Sequence, residues 1–367
     1  MAGSIFGKIF RISTWGESHG KGIGVVIDGC PAGLPLKEED IQVYLNRRKP
    51  GQSKYSTPRK EEDAVEILSG VFEGKTTGTP ISMVVFNHTQ RSSDYGEIAN
   101  YYRPGHADFT FDAKYGFRDY RGGGRSSGRE TTARVAAGAV AAIILKELGI
   151  TFTTYSKSIG PVEIDYNNFD KNEINQNSFY MPDKVAAEQA GEYVSSMMKQ
   201  LDSVGGVVEC VVSGMPKGIG ETVFDKVDAN LAKAILSIGA VKGFEMGDGF
   251  LVAKENGSYH NDAFYYDDNH QVKKETNHAG GVLGGMTDGS DIVFRAAFKP
   301  TPSIASNQHT INKMGENIEV SVRGRHDPII VPRAVVVVES MAAITLLDLL
   351  LENMTATLDG IKGFYKN

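Results

Sequence analysis

Two stretches of this chain are apolar on almost every side. Residues 135–145 and much of 334–351 are built from Ala, Val, Ile, Leu and Met at helical length. A helix with one apolar stripe can lie on a surface, but one without a polar face has to be covered all round. The longest apolar runs, 135–145 and 342–351, fall short of the ~20 residues that cross a bilayer, so no membrane is expected and the cover has to be protein. Two such helices, each late in its half of the chain, predict a middle layer of helix with sheet on either side.

The halves also repeat one another. Residues 26–33 match 211–218, and residues 70–78 match 281–289, in the same order. The second pair lies farther apart than the first. A polar stretch at 255–277, rich in Tyr, Asn, Asp and His, accounts for the difference as an exposed insertion. Matches in a fixed order point to duplication. The chain of 367 residues is therefore read as one domain, 1–367, with two internal repeats at about 4–160 and 205–352. No Pro-, Gly- and Ser-rich linker divides them.

Strand-like runs fall at 6–13, 23–27, 64–71, 81–86, 207–212, 292–297 and 318–322. They combine β-branched residues with flanking turn signals. Helical patterns cover 37–48, 129–148, 183–201, 226–237 and 332–351, the last opening with a proline that a first turn tolerates. The expected fold class is α+β, internally duplicated, with a helical core sandwiched between antiparallel β-sheets.

Composition narrows the chemistry. A formal charge of −6 gives no general attraction to nucleic acid or to anionic membrane, so any anion site is a local cluster. Cys30 and Cys210 are the only cysteines, too few for a disulfide framework or a thiolate zinc site. They read as small buried residues, and a reducing compartment fits them. The first residues lack the apolar core of a signal peptide, so a cytoplasmic location is expected.

The densest functional pattern is Arg118-Asp119-Tyr120-Arg121-Gly122-Gly123-Gly124-Arg125-Ser126-Ser127-Gly128-Arg129, which runs directly into the first apolar helix. A glycine-rich approach to a helix start leaves backbone N–H groups and the positive dipole end facing a ligand. Arginine adds paired donors suited to phosphate and carboxylate. A second basic stretch, Arg47 to Lys54, ends the helix at 37–48. His19, His106 and His326 all stand in loops beside Gly or Arg, unlike His260 and His270 of the polar insertion. Histidine titrates near neutrality and is the usual proton donor to a departing phosphate. The loop Lys299-Pro300-Thr301-Pro302-Ser303 adds phosphate-type donors on a backbone fixed by two prolines. No zinc motif is present in the sequence, and no metal is expected.

Taken in order, these segments resemble the chorismate synthase family. The matching pieces are Gly16-Glu17-Ser18-His19-Gly20 with Asp28-Gly29-Cys30-Pro31, and then Arg103-Pro104-Gly105-His106-Ala107-Asp108. They continue with Tyr120-Arg121-Gly122-Gly123-Gly124-Arg125-Ser126-Ser127, Asn277-His278-Ala279-Gly280-Gly281 and Gly324-Arg325-His326-Asp327-Pro328. The resemblance implies a lyase that converts 5-enolpyruvylshikimate 3-phosphate to chorismate with loss of phosphate. It further implies a need for reduced FMN without net redox change, a place at the end of the shikimate pathway, and a homotetramer.

By that resemblance, His19 protonates the reduced flavin, His106 helps phosphate leave, and Asp327 stands near the flavin and aids removal of the C6 proton. FMN contacts map to Arg125, Ser126, Ser127, Gly239, Ala240, Gly284, Lys299, Pro300, Thr301, Pro302, Ser303 and Arg325. Ser18, Arg48, Lys54 and Arg129 map to substrate or NADP contacts. Gly239 stands where Asn is frequent, which leaves only a backbone contact, and Lys54 stands where Arg is frequent, which loses the bidentate fork. A phosphorylated dicarboxylate beside a phosphorylated flavin needs many cations. Arg134 joins Arg48, Lys54, Arg125, Arg129, Lys299 and Arg325 as candidates. Flavin reduction is left between NADPH as a direct reductant and an external reductase. Two other classes compete: a flavin-free phosphatase or lyase using the same residues, and an RNA-binding protein using the Arg-Gly-Gly-Gly-Arg turn. The acidic net charge weighs against the second.

Overall fold

The structure, a computed structural model, describes residues 3–57, 61–88, 97–322 and 327–366. The first half runs β1 (Ile5–Phe6), β2 (Arg11–Gly16), β3 (Gly22–Asp28), α1 (Glu38–Arg48), β4 (Val65–Ser69), β5 (Val71–Phe72), β6 (Lys75–Thr76) and β7 (Ile81–Phe86), then α2 (Asp108–Tyr115) and α3 (Thr131–Glu147). The second half begins with β8 (Thr151–Ile159), β9 (Val162–Glu163), α4 (Lys184–Lys199), β10 (Gly206–Ser213), α5 (Val227–Leu236) and β11 (Val241–Met246). It continues through α6 (Gly257–His260), β12 (Phe264–Tyr266), β13 (Val272–Lys274), β14 (Val282–Leu283), β15 (Met286–Thr287), β16 (Ile292–Phe298), β17 (Gln308–Ile311) and β18 (Asn317–Val320), and closes with α7 (Val331–Asn353) and α8 (Leu358–Tyr365).

Two antiparallel sheets flank the helices, ordered β1-β2-β3-β7-β4 and β11-β16-β10-β8-β9. The four strands β2-β3-β7-β4 have the same order in the sheet and along the chain as β8-β10-β16-β11, although a short turn joins β2 to β3 while β9 and α4 stand between β8 and β10. In each half a helix follows the second of these strands, and a short hairpin, β5–β6 or β14–β15, precedes the strand that comes last in the chain, β7 or β16. A buried threonine anchors each hairpin in the same way. Thr76 Oγ1 accepts the Leu34 N–H at 3.0 Å and donates to the Pro31 carbonyl at 2.6 Å. Thr287 Oγ1 accepts the Ile219 N–H at 2.9 Å and donates to the Pro216 carbonyl at 2.5 Å. One division differs from expectation: β8, placed with the first repeat by a boundary near 160, pairs with β10 in the second sheet.

Helix α3 packs on β2, β3 and β7, α7 packs on β8 and β10, and the two helices pack on each other between the sheets. Their backbones approach closely at Gly138, where a Cβ would stand 2.2 Å from that of Ser340. Polar residues on α7 are used rather than merely tolerated. Asp348 accepts the backbone N–H groups of Lys8, Ile9 and Phe10 at 2.9, 2.8 and 2.9 Å, and Glu339 holds Arg47 through two bonds of 2.7 and 2.8 Å. These contacts also explain why the strand expected over 6–13 breaks into β1 and β2, since the turn between them is tied to Asp348.

At 23 residues, α7 is by length and composition long enough to cross a membrane, contrary to the shorter run expected from sequence. Nearly all of it is buried inside the protein instead. The insertion carries α6 and the β12–β13 hairpin, whose Phe264, Tyr265 and Tyr266 are exposed. Cys30 and Cys210 are buried and unpaired with each other. Burial pushes the Cys30 thiol up to about 11 and raises that of Cys210 as well.

Candidate active site

The starts of α3 and α7 open onto one cavity of about 550 Å³. Short 3-10 turns at Gly124–Ser126 and Gly128–Glu130 lead into α3, while Ile330 and Arg333 bring the first turn of α7 to the same wall. Two helix dipoles therefore present their positive ends to one space. Other walls come from the turn after β2, the end of α1, the loop before α2, the residues before β11 and the loop after β16. Both halves of the chain contribute.

Each histidine is fixed by a neighbouring loop. His19 Nδ1 lies 3.1 Å from Ser18 Oγ, and its ring packs so tightly on Gly122 that a Cβ there would meet Nδ1 at 2.2 Å. A side chain at that point would have to push the ring aside. His106 Nε2 lies 2.7 Å from Ser303 Oγ. The loop carrying His106 turns through Gly105, whose φ is +70° and whose Cβ would meet Pro302 at 2.7 Å. Lys299 Nζ donates to the Gly105 carbonyl at 2.7 Å, so the two loops form one unit. Burial, with Lys242 adding to it, holds the Lys299 ammonium below the usual lysine range.

The arginines are oriented by a framework of acceptors. Arg48 and Arg129 both donate to Asp63, one to each carboxylate oxygen. Arg125 donates to Thr14 Oγ1 at 2.7 Å and to the Gly16 carbonyl at 3.2 Å. Arg103 grips Asp108 through two bonds of 2.8 Å. Arg333 donates to Asp327 Oδ2, and the Thr57 N–H donates to Asp327 Oδ1 at 2.8 Å. Burial alone would raise the Asp63 carboxyl, but Arg48 and Arg129, with Arg333 behind them, outweigh it and hold it below the usual carboxylate range. Burial draws the Arg48 guanidinium down to about 10 against the pull of Asp63, which still leaves it charged at neutral pH. Among the described residues, the cavity wall carries eight Lys and Arg against five Asp and Glu, a balance that suits an anion.

Of the residues expected at the site, His19, His106, Asp327, Ser18, Arg48, Arg125, Ser126, Ser127, Arg129, Gly239, Ala240, Lys299, Thr301, Pro302 and Ser303 all line this cavity. Pro300 shapes the same loop without lining it. Lys54 is turned over the Tyr55 ring, 4.9 Å from its centroid, and is not on the wall. Gly284 lies in the β14–β15 turn, beside Gly285, which packs on Glu221 and Lys226, and it does not line the cavity either. Arg134 donates to Glu130 and Ser237, so the cation expected from it is spent between helices. Arg325 and His326 fall outside the described residues.

Two participants, Asp63 and Arg333, were not expected from sequence. Asp63 stands in a Glu-Glu-Asp run that reads as surface. Arg333 opens an apolar helix, where a charge reads as an interruption, although the preceding proline marks a helix start. Ala240, expected as an FMN contact, has a left-handed backbone with φ of 73°.

The basic turn does not present an open surface for RNA. Arg118, Arg125 and Arg129 are turned to protein acceptors, and the exposed Arg121 is paired with Asp119. Among the described residues, one group of candidate metal ligands, Asp248, Glu255 and His260, lies around the insertion and outside the cavity.

The chorismate synthase family model matches residues 10–351. A chorismate synthase of Agathobacter rectalis is 69% identical over 366 residues, covering 100% of both chains. One from Methanosarcina mazei is 53% identical over 358 residues, covering 96% of this chain and 97% of that one. A crystal structure of chorismate synthase superposes with a TM-score of 0.77 at 32% identity, covering 98% of this chain and 97% of the other. With that match reaching from the first sheet to the last buried helix, the chain belongs to the chorismate synthase family, carbon–oxygen lyases of aromatic biosynthesis.

Proposed function

We propose that the chain converts 5-enolpyruvylshikimate 3-phosphate to chorismate by anti-1,4-elimination, as the last step of the shikimate pathway, with reduced FMN held in the cleft. The C3–O and C6–H bonds break, phosphate leaves with the C–O electron pair, and a second ring double bond forms. No net redox change results. The observation carrying this reading is the convergence of His19, His106 and Asp327 on one cation-rich cavity.

The donor set fits a flavin phosphate and ring. Bare backbone forms much of the wall: a Cβ at Gly123 would stand 3.2 Å from Ser127, and one at Gly105 would strike Pro302. Hydroxyls of Ser126, Ser127, Thr301 and Ser303 and the Lys299 ammonium supply donors of the kind phosphate takes. Arg125, Ser126, Ser127, Gly239, Ala240, Lys299 and residues 300–303 would hold the FMN, and by resemblance Arg325 joins them. When bound, reduced FMN supplies electron density to the substrate as the C3–O bond weakens.

This chain's own residues orient, neutralise and move protons. Arg48, Arg129 and Arg333, with the helix starts, gather the substrate's negative charge. His106, its ring steadied by Ser303, delivers a proton to the departing phosphate. His19, held between Ser18 and Gly122, keeps a proton beside the flavin. Asp327, fixed by Arg333 and the Thr57 N–H, receives the C6 proton. The working assembly is taken as a homotetramer on the family resemblance.

The test is phosphate release from the substrate under anaerobic conditions with dithionite-reduced FMN, beside a reaction in which NADPH replaces dithionite. Release with dithionite alone supports the elimination and assigns flavin reduction to a separate reductase. Release with both makes the chain its own reductase. No release in either, with FMN bound, removes the reaction from this fold.

A further inference from the structure

Asp63 is not on the wall of the cleft, yet its side chain is wholly enclosed beside it. Its carboxylate is shared between two arginines from distant parts of the chain. Oδ2 accepts Arg48 Nη1 at 2.8 Å, from the end of α1. Oδ1 accepts Arg129 Nη1, from the turn before α3. Each arginine is closed on its other side as well: Arg48 by Thr132 Oγ1, and Arg129 by Asn87 Oδ1 at 2.7 Å from Nε.

The backbone of Asp63 has a φ of 51°, a left-handed conformation uncommon without glycine. Gln42 of α1 holds it there. Its Nε2 donates to the Asp63 carbonyl at 3.3 Å, and its Oε1 accepts the Val65 N–H at 3.2 Å. A strained residue persists only where its surroundings over-determine it, and such residues gather at functional sites.

Two adjacent guanidiniums repel each other, and a buried cation without a partner is strongly disfavoured. The shared carboxylate removes both objections. It neutralises one charge of the pair and fixes both forks, while the arginines themselves remain on the cavity wall. With Arg333 and Asp327 included, these five side chains carry one net positive charge. The two helix starts add roughly half a charge each. That total suits a dianion such as phosphate better than a single carboxylate.

We propose that Asp63 is a positioning residue whose shared carboxylate presents Arg48 and Arg129 as a fixed pair that grips the substrate's phosphate group, an inference resting on the reading of the cleft given above. Asp63→Asn keeps the shape but turns an NH2 group toward one guanidinium. In that variant KM for 5-enolpyruvylshikimate 3-phosphate rises about tenfold or more, kcat changes less than about threefold, and FMN affinity is unchanged. Inorganic phosphate, measured by calorimetry, binds about tenfold more weakly. In an Arg129→Ala background the same change adds less than about threefold, because one partner is already gone.

A merely structural residue would lower thermal stability and leave KM and phosphate affinity alone. That outcome in a folded variant overturns the proposal, as does full additivity with Arg129→Ala. If Asp63→Asn does not fold, Asp63→Glu keeps the charge, moves the pair and reads the same quantities. Phosphate calorimetry needs no turnover, so it decides the role of Asp63 even if the wild-type protein releases no phosphate from the substrate, the result that would instead remove the functional reading.

Discussion

Residues at the cleft are held by contacts that leave little choice of side chain. Gly122 shows this most directly, because a Cβ would occupy the space of the His19 ring. Gly122→Ala should displace that ring and lower kcat by about 100-fold, the cost of an ångström-scale misplacement, with the thermal midpoint within a few degrees of wild type. Unchanged turnover in the variant would remove His19 from the proton path. His106→Ala should slow phosphate release by about 100-fold or more while FMN binding, read by fluorescence quenching, stays close to wild type. The histidines and the glycine-rich arginine turn were legible in the sequence because their residue types carry chemistry on exposed loops. Asp63 and Arg333 were not. Each acts through partners distant in the chain, Asp63 on Arg129 and Arg333 on the Arg48 carbonyl, and neither contact leaves a local pattern.

Elements repeat with their anchoring bonds. The Thr76 and Thr287 hydroxyls make the same pair of contacts to the same kind of hairpin, so Thr76→Val and Thr287→Val should cost similar amounts, about 1–3 kcal/mol each. Denaturant unfolding checks this, and a large cost at one site beside none at the other would contradict the equivalence. Buried helices α3 and α7 were readable because an apolar surface on every side has one consequence. Strand β8 was not, since its Thr- and Ser-rich sequence lacks the apolar alternation of a half-buried strand. Its Thr154, Ser156 and Ser158 are buried all the same, with Thr154 Oγ1 donating to Cys210 Sγ at 3.2 Å. The Thr, Phe and Tyr residues of β8 suit a strand, but without alternation the segment gives no periodic signal.

The molecule as a whole gathers cations at one place while its net charge is −6, and it stabilises them with buried carboxylates. Asp63 and Asp108 both have depressed pKa values, with burial opposed and outweighed by arginine. A depressed carboxylate contributes stability that is present above its unfolded value near about 4 and lost as pH falls through its folded value. Stability should therefore hold from neutral pH to about pH 4 and fall steeply below it. Asp63→Asn should flatten part of that acid limb, and an unaltered limb in the variant would show that Asp63 is not depressed. The sheet–helix–sheet layering was legible from the two apolar helices and the repeat, whereas the meeting of both helix starts at one cleft was not, because helix direction leaves no mark in composition. The most direct measurement of the central claim is the number of phosphates released per reduced FMN, under anaerobic conditions with FMN limiting. Many phosphates per flavin, none with oxidised FMN, and an equal yield of chorismate are the predicted result. Equal release without flavin, or no more than one phosphate per flavin, would contradict it.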